Sequence, residues 1–404
     1  MRTSAAGVQP YILDWLNLLV RWLHFTAGIS WIGASFYFVW LDNHLTPPVK
    51  PEELADGVSG ELWAVHGGGF YHNQKYLTGP TSEPLPQNLH WFKWEAYATW
   101  LSGMAMLALI YWAGASTYLI DKSVLDLSPA AAIAISIASI VAGWIVYDLL
   151  CRIFEKQPLV LGVSVFAVLV LAAWALFHVF SPRAAYIHIG SIIGTIMVAN
   201  VAMVIIPGQR KMLAAIRAGR APDFRYGMLG RTRSVHNTYF TLPVLFIMIS
   251  NHYPMTYQSP YGWITLVFIS LAGVLVRQFF LYTHKGRIVL ALPLAALVIL
   301  AAVAFAIAPR PGPANAEPVS FAQVQPIVAQ RCAVCHSTHP TQPGFTTAPA
   351  GVLLDTPAHI ATNAQRIQTQ AVTTHAMPLG NVTGMSDAER ATLGAWIAAG
   401  ANTQ

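Results

Sequence analysis

Apolar residues run along the first three-quarters of the chain in long blocks, separated by short polar stretches. Each block approaches the roughly 20 residues that a helix needs to span hydrocarbon. The pattern predicts eight spanning helices, over residues 13–41, 91–113, 130–150, 158–180, 184–206, 236–252, 261–282 and 288–308. The sixth is short and contains Pro243. The pattern then changes at Pro309-Arg310-Pro311-Gly312-Pro313, a composition suited to a stiff linker over 309–316. Beyond it, Phe321 and Val324 recur at helical spacing, and Leu393, Trp396 and Ile397 share one face of a helix from Ala388 to Ala399. Ser386 and Glu389, three apart, form a capping box that starts this helix. The expected architecture is all-α: a polytopic membrane bundle of about eight helices over 1–308 and a small module over 317–404. The first apolar block is too long for a cleavable leader and lacks a small-residue cleavage site.

Composition agrees, with 55% hydrophobic residues, 10% charged and a mean hydropathy of +0.50. The charges orient the bundle. Thirteen basic residues between Lys50 and Arg287 fall in the connections after the first, third, fifth and seventh spans, against only Arg2, Lys122 and Arg183 in the N-terminus and the remaining connections. By the positive-inside rule the thirteen face the cytoplasm and both termini lie outside. The net charge of +6 therefore follows from topology, and no nucleic-acid partner is needed to explain it.

The chemistry concentrates in Cys332-Ala333-Val334-Cys335-His336, a C-x-x-C-H motif. This spacing reads as covalent attachment of one haem c, with His336 reaching the iron. A zinc site would want a second ligand pair, and the one other cysteine, Cys151, lies far upstream in apolar sequence. In His375-Ala376-Met377-Pro378-Leu379-Gly380-Asn381, Met377 is the favoured second axial ligand, a soft donor that raises the potential. Met385 and His375 are the other candidates. Periplasmic haem attachment agrees with an eighth helix ending outside.

Polar residues within the spans are costly in hydrocarbon and usually functional. Asp14, Asn17, Arg21 and His24 are spaced three, four and three, so they share one helix face, expected to line the bundle interior or a wet cavity. A buried Asp14–Arg21 pair that only holds helices together is the structural alternative. Arg277 and Gln278 in the seventh span, and Lys93 with Glu95 at the second, are expected at the same interior, unless Lys93 snorkels to the interface. Histidines 66, 72, 90, 236 and 284 gather toward the cytoplasmic side, each equally explicable alone as an interfacial hydrogen-bonding residue. The glycines of His66-Gly67-Gly68-Gly69-Phe70-Tyr71, in the long first loop, permit close backbone approach to a ligand or to the bundle, though glycine triplets are also common in plain turns.

Several of these segments resemble the bacterial membrane-bound urate hydroxylases. They are Trp22-Leu23-His24-Phe25 with Ile29-Ser30-Trp31-Ile32-Gly33, the His66–Tyr71 loop, Trp91-Phe92-Lys93-Trp94-Glu95, Gly194–Asn200, and His236-Asn237-Thr238-Tyr239 leading to Ser250–Pro254. The resemblance extends over essentially the whole chain, including Cys332, Cys335, His336 and Met377–Asn381. It implies an eight-helix urate oxidase domain joined to a cytochrome c, in the bacterial inner membrane. It also implies purine catabolism: urate is oxidised to 5-hydroxyisourate and electrons pass to the chain's own periplasmic haem c. From there they reach a respiratory acceptor such as a cytochrome c or a terminal oxidase.

A urate site needs a cation for the monoanion, aromatic faces, amides for the ring edges and a base. Arg21, Arg277, Asn237 and Gln278 offer the first groups, and His24, His236 or Glu95 the base. The hydrocarbon core, roughly 30 Å thick, is too wide for one efficient electron step. A substrate near the cytoplasm would need a relay, a noncovalent haem b or other metal on His24 with His188 as partner. A cavity near the periplasm would need none, and both solutions stay open. The alternative function is a quinol-oxidising or electron-transfer subunit of a respiratory complex. No adjacent His-His pair is present for a haem–copper oxidase.

Overall fold

The computed structural model of the chain describes residues 5–259, 261–308 and 319–403, without the side chains of 5–11 and Asp14. The linker expected at 309–316 lies outside the described residues. Helices occupy all eight predicted segments: α1 (Ala5–His44), α2 (Trp94–Met106), α3 (Pro129–Ile153), α4 (Pro158–Phe177), α5 (Pro182–Ala199), α6 (Phe224–Ser250), α7 (Gly262–Thr283) and α8 (Ala291–Ala306). Among the described residues, four of them are long and apolar enough to cross a membrane: α3, α4, α5 with its continuation to Arg217, and α7.

Local sequence explains where these helices start. Pro129, Pro158 and Pro182 stand in the first turns of α3, α4 and α5, where a missing N–H costs nothing. The Ser128 and Ser181 hydroxyls accept from the Ala131 and Ala184 N–H groups, each at 3.3 Å. The helix α6 starts at Phe224 rather than at 236, because Asp223 Oδ1 accepts from Arg225 N at 2.9 Å. Pro243 sits inside α6 without ending it.

Packing sets α5 at the centre, with Ile189, Ile192, Ile193 and Ile196 all buried. Glycines let its neighbours close in. A Cβ on Gly143 would lie 2.5 Å from Ile192 Cγ2, and one on Gly190 2.6 Å from Ile247 Cγ2, the small-residue contact typical of membrane bundles. The outer helices instead present apolar side chains outward, with Leu159 80% and Phe305 87% exposed. So much exposed apolar surface suits lipid and not water. Two helices widen into π turns: α2 runs on through Leu107–Trp112, and α5 through Asn200–Ile205 to Arg217. Such turns frequently mark functional sites.

One part of the expected all-α fold is corrected. The long first loop folds as an antiparallel hairpin, β1 (Val58–His66) with β2 (Gly69–Tyr76), Trp63 opposite His72. Gly67 and Gly68 make its two-residue turn with φ of 58° and 82°, the conformation that twisted hairpins prefer and glycine adopts most readily. The glycines therefore serve the turn.

The C-terminal residues have their own core, in which Val324, Val328, Leu354, Ile360, Leu393 and Trp396 pack together. It is built on α9 (Phe321–Arg331) and α10 (Asp387–Ala398). The expected capping box is present: Glu389 N donates to Ser386 Oγ at 3.2 Å and Ser386 N to Glu389 Oε2 at 2.7 Å. This module rests on the bundle at Gly380, where an added Cβ would meet Thr117 O at 2.7 Å and Ile120 O at 3.1 Å.

Candidate functional site

In the C-terminal module, α9 ends in a tight turn that gathers the C-x-x-C-H motif. Cys335 N and His336 N both donate to Cys332 O, at 3.1 and 2.9 Å. His336 Nδ1 lies 3.0 Å from Val352 O. This orients the ring and leaves Nε2 free to ligate, the arrangement metal-bound histidines use. Leu354 N donates to His336 O at 2.7 Å. Thr338 N donates to Asp355 Oδ2 at 2.9 Å, and this bond, with that of His359, holds the Asp355 carboxyl near about 2. Burial pushes the Cys332 thiol up to about 12. The turn places both thiols beside a histidine whose Nε2 is left open, a donor set that would hold a covalent haem.

The segment after residue 367 carries the three candidates for the second axial ligand. Met377 packs against the same core as Cys332 and Leu354, its N–H on Gln370 O at 2.8 Å and its carbonyl on Arg390 Nη1 at 2.7 Å. Met385 is buried just ahead of the capping box, its N–H on Asn381 Oδ1 at 2.9 Å. His375 instead lines a cavity against the bundle.

The membrane-domain candidates do not form one constellation. His24 packs on α2, its Nδ1 2.9 Å from Thr99 O and 3.2 Å from Ser102 Oγ. Gly103 gives the ring its room, since a Cβ there would lie 3.0 Å from His24 Cε1. Arg21 points outward and donates to Asn17 Oδ1 at 3.2 Å, so the stripe does not turn all its members inward. The Asp14 side chain lies outside the described residues. His188 is fully buried with both ring nitrogens engaged, Nδ1 to Ala184 O at 2.7 Å and Nε2 to Ser136 Oγ at 2.6 Å. A metal on His188 would have to break one of these bonds. Arg277 is buried with its Nε unpaired, near Tyr239, which donates to Gln278 Oε1. Glu95 Oε2 and His284 Nδ1 are likewise buried without a partner.

His236 and Asn237 belong to a buried polar network that sequence reading did not assemble. His236 Nδ1 lies 2.8 Å from Tyr147 OH. Asn200 Nδ2 donates to Tyr147 OH and to Asn237 Oδ1, both at 2.9 Å. Arg233 donates to Asn200 Oδ1 at 3.2 Å and to Asp148 Oδ1 at 2.6 Å, with its guanidinium 5.1 Å from the Tyr147 ring centroid. Arg233 had counted only as a cytoplasmic charge. Its position one turn before Asn237 on α6 was the available signal. In the hairpin, ligand atoms of Glu53, Glu61 and His72 lie within 4.8 Å of one another, but Glu61 already pairs with His72 at 2.7 Å and Glu53 with Lys50 at 3.4 Å.

A cavity of about 370 Å³ opens where the module meets the bundle. The bundle contributes Tyr118, Arg183, Tyr257 and Gln258, and the module Asn381 and Arg390. Arg183 Nε donates to Asn251 Oδ1 at 3.0 Å, and its guanidinium stands 5.7 Å from the Tyr118 ring centroid. No residue of this cavity other than His375 and Met385 had been singled out as a site candidate.

No curated protein and no solved structure matches the chain. The profile of the urate oxidase N-terminal family matches residues 10–308, the whole helical bundle short of its first residues, and the chain belongs to that family.

Proposed function

We propose that the chain is a membrane-bound urate hydroxylase: it oxidises urate to 5-hydroxyisourate and passes the electrons to a haem c on its own C-terminal module. The observation that carries this reading is the family match over residues 10–308 on a chain that continues into the Cys332–His336 turn. The urate monoanion and one water become 5-hydroxyisourate, one proton and two electrons. A covalent haem c supplies a one-electron acceptor, so two electrons leave in succession to a respiratory one-electron carrier. Cys332 and Cys335 would tether the group and His336 would ligate it through Nε2, its ring held by Val352 O. Met377, its backbone held by Gln370 and Arg390, would be the second ligand. We place the cytochrome module outside the bacterial inner membrane. For a substrate bound within the bundle the base is His24, His236 or Glu95, and a haem b or metal there would require His188 to give up a bond.

The test is a visible spectrum of the purified chain before and after anaerobic urate. Haem c reduction with stoichiometric 5-hydroxyisourate or its decay product is expected. Reduction by quinol but not by urate would replace this reading with the respiratory-subunit one. In the same preparation Met377→Ala is expected to keep the haem on a denaturing gel while lowering its midpoint potential, because the soft donor is gone. An unchanged potential would move the axial role to Met385 or His375.

A further inference from the structure

We infer that the cavity between the bundle and the C-terminal module is the substrate site, and that it takes a planar oxypurine anion. This rests on the urate reading above and locates its chemistry. At about 370 Å³ the cavity falls within the roughly 300–1,000 Å³ of small-molecule sites. Its walls hold what such an anion requires. Arg183 supplies the charge and, among the described residues, is in no ion pair. Its Nε donates to Asn251, which aligns the guanidinium and leaves its terminal nitrogens for an exocyclic oxygen or a deprotonated ring nitrogen. It also stands in the first turn of α5, where the helix dipole favours an anion. Tyr118 and Tyr257 bring aromatic faces, and Gln258 and Asn381 bring amides for the donor and acceptor edges of the ring. Two acids also line it: Asp121 accepts from the Ser123 N–H at 2.9 Å and the Ser123 hydroxyl at 2.5 Å, and Asp387 is offset by Arg390.

Position is the second argument. Leu379 and Gly380 line the cavity two and three residues beyond Met377, and Arg390 both lines it and donates to Met377 O at 2.7 Å. A substrate held here sits against the loop that would carry the axial ligand. Its two electrons then cross only that loop, one after the other, to the haem c. The proton leaves to solvent on the module's side, and no relay through roughly 30 Å of hydrocarbon is needed.

Two measurements on the full haem-loaded chain test this. In the first, radiolabelled urate is bound to dithionite-reduced protein, in which turnover is blocked. Arg183→Gln is expected to weaken binding by about tenfold or more, the scale of a lost charge-assisted hydrogen bond, with an unchanged haem spectrum and partial recovery in Arg183→Lys. Wild-type affinity in Arg183→Gln would overturn the inference. The second uses wild-type protein in vesicles with the module outward, and does not depend on the variant folding. Urate added outside is expected to reduce the haem without entering. Reduction only by urate supplied inside would overturn the cavity assignment while leaving the urate reading intact. Reduction from neither side would sink the urate reading itself.

Discussion

Cys335→Ala is expected to bring covalent haem staining on a denaturing gel down to background and urate-dependent electron transfer with it, while the bundle still inserts. The two parts of the chain have separate cores, so the loss should stay local. Cys332 packs in the module against Val324, Leu354 and Trp396, whereas Ile192, Ile193, Ile196 and their neighbours fill the bundle. Radiolabelled urate binding separates the steps. If electrons must leave through the module, the variant keeps some affinity for urate but cannot turn over. Wild-type haem staining in Cys335→Ala would remove the covalent reading of the motif, and full turnover without haem would mean that electrons leave by another route.

Arg233→Met is expected to lower the thermal stability of the bundle by about 3 kcal/mol, the lower end for a broken buried pair. The lower end applies because Asp148 retains Arg152 at 2.7 Å on its other oxygen. The substitution also leaves Asn200 Oδ1 without its donor, an additional cost for a buried acceptor. Adding Asp148→Asn to Arg233→Met should recover part of the loss, because Arg233→Met alone leaves Asp148 with only the exposed Arg152 as counter-charge and a neutral amide needs none. Thermal melts of the single and double variants, read beside the haem c spectrum, measure the coupling. Equal stability of Arg233→Met and wild type would show that the network contributes nothing to the fold.

The helical segments, four of them long and apolar enough to cross a membrane, were legible because such helices are specified locally. Each needs its own long apolar run, so composition within one segment reveals it without knowledge of its neighbours. The Ser386–Glu389 cap and the Cys332–His336 turn were legible for the same reason, since their partners lie within four residues. The hairpin was legible in principle, as Gly67-Gly68 between paired strands is a local turn signal. Along the chain alone, though, a glycine triplet fits a plain turn as well as close approach to a ligand or to the bundle.

Other features depend on which helices become neighbours, and periodicity along one helix does not encode that. The face shared by Asn17, Arg21 and His24 was a correct statement about α1, but α2 covers only part of it, so His24 meets Thr99 while Arg21 stays outside. Asp148, Asn200 and Arg233 come from α3, the π turn after α5, and α6, and they meet only because Gly143 and Gly190 let those helices close around α5. The cavity at Arg183 requires more still, the docking of a module separated from that residue by almost the whole of the remaining chain. Short-range geometry and solvent preference act residue by residue and can be read along the chain. Helix neighbourhood and domain docking arise from shape and polar complementarity between distant segments, and these become visible only once the segments are packed.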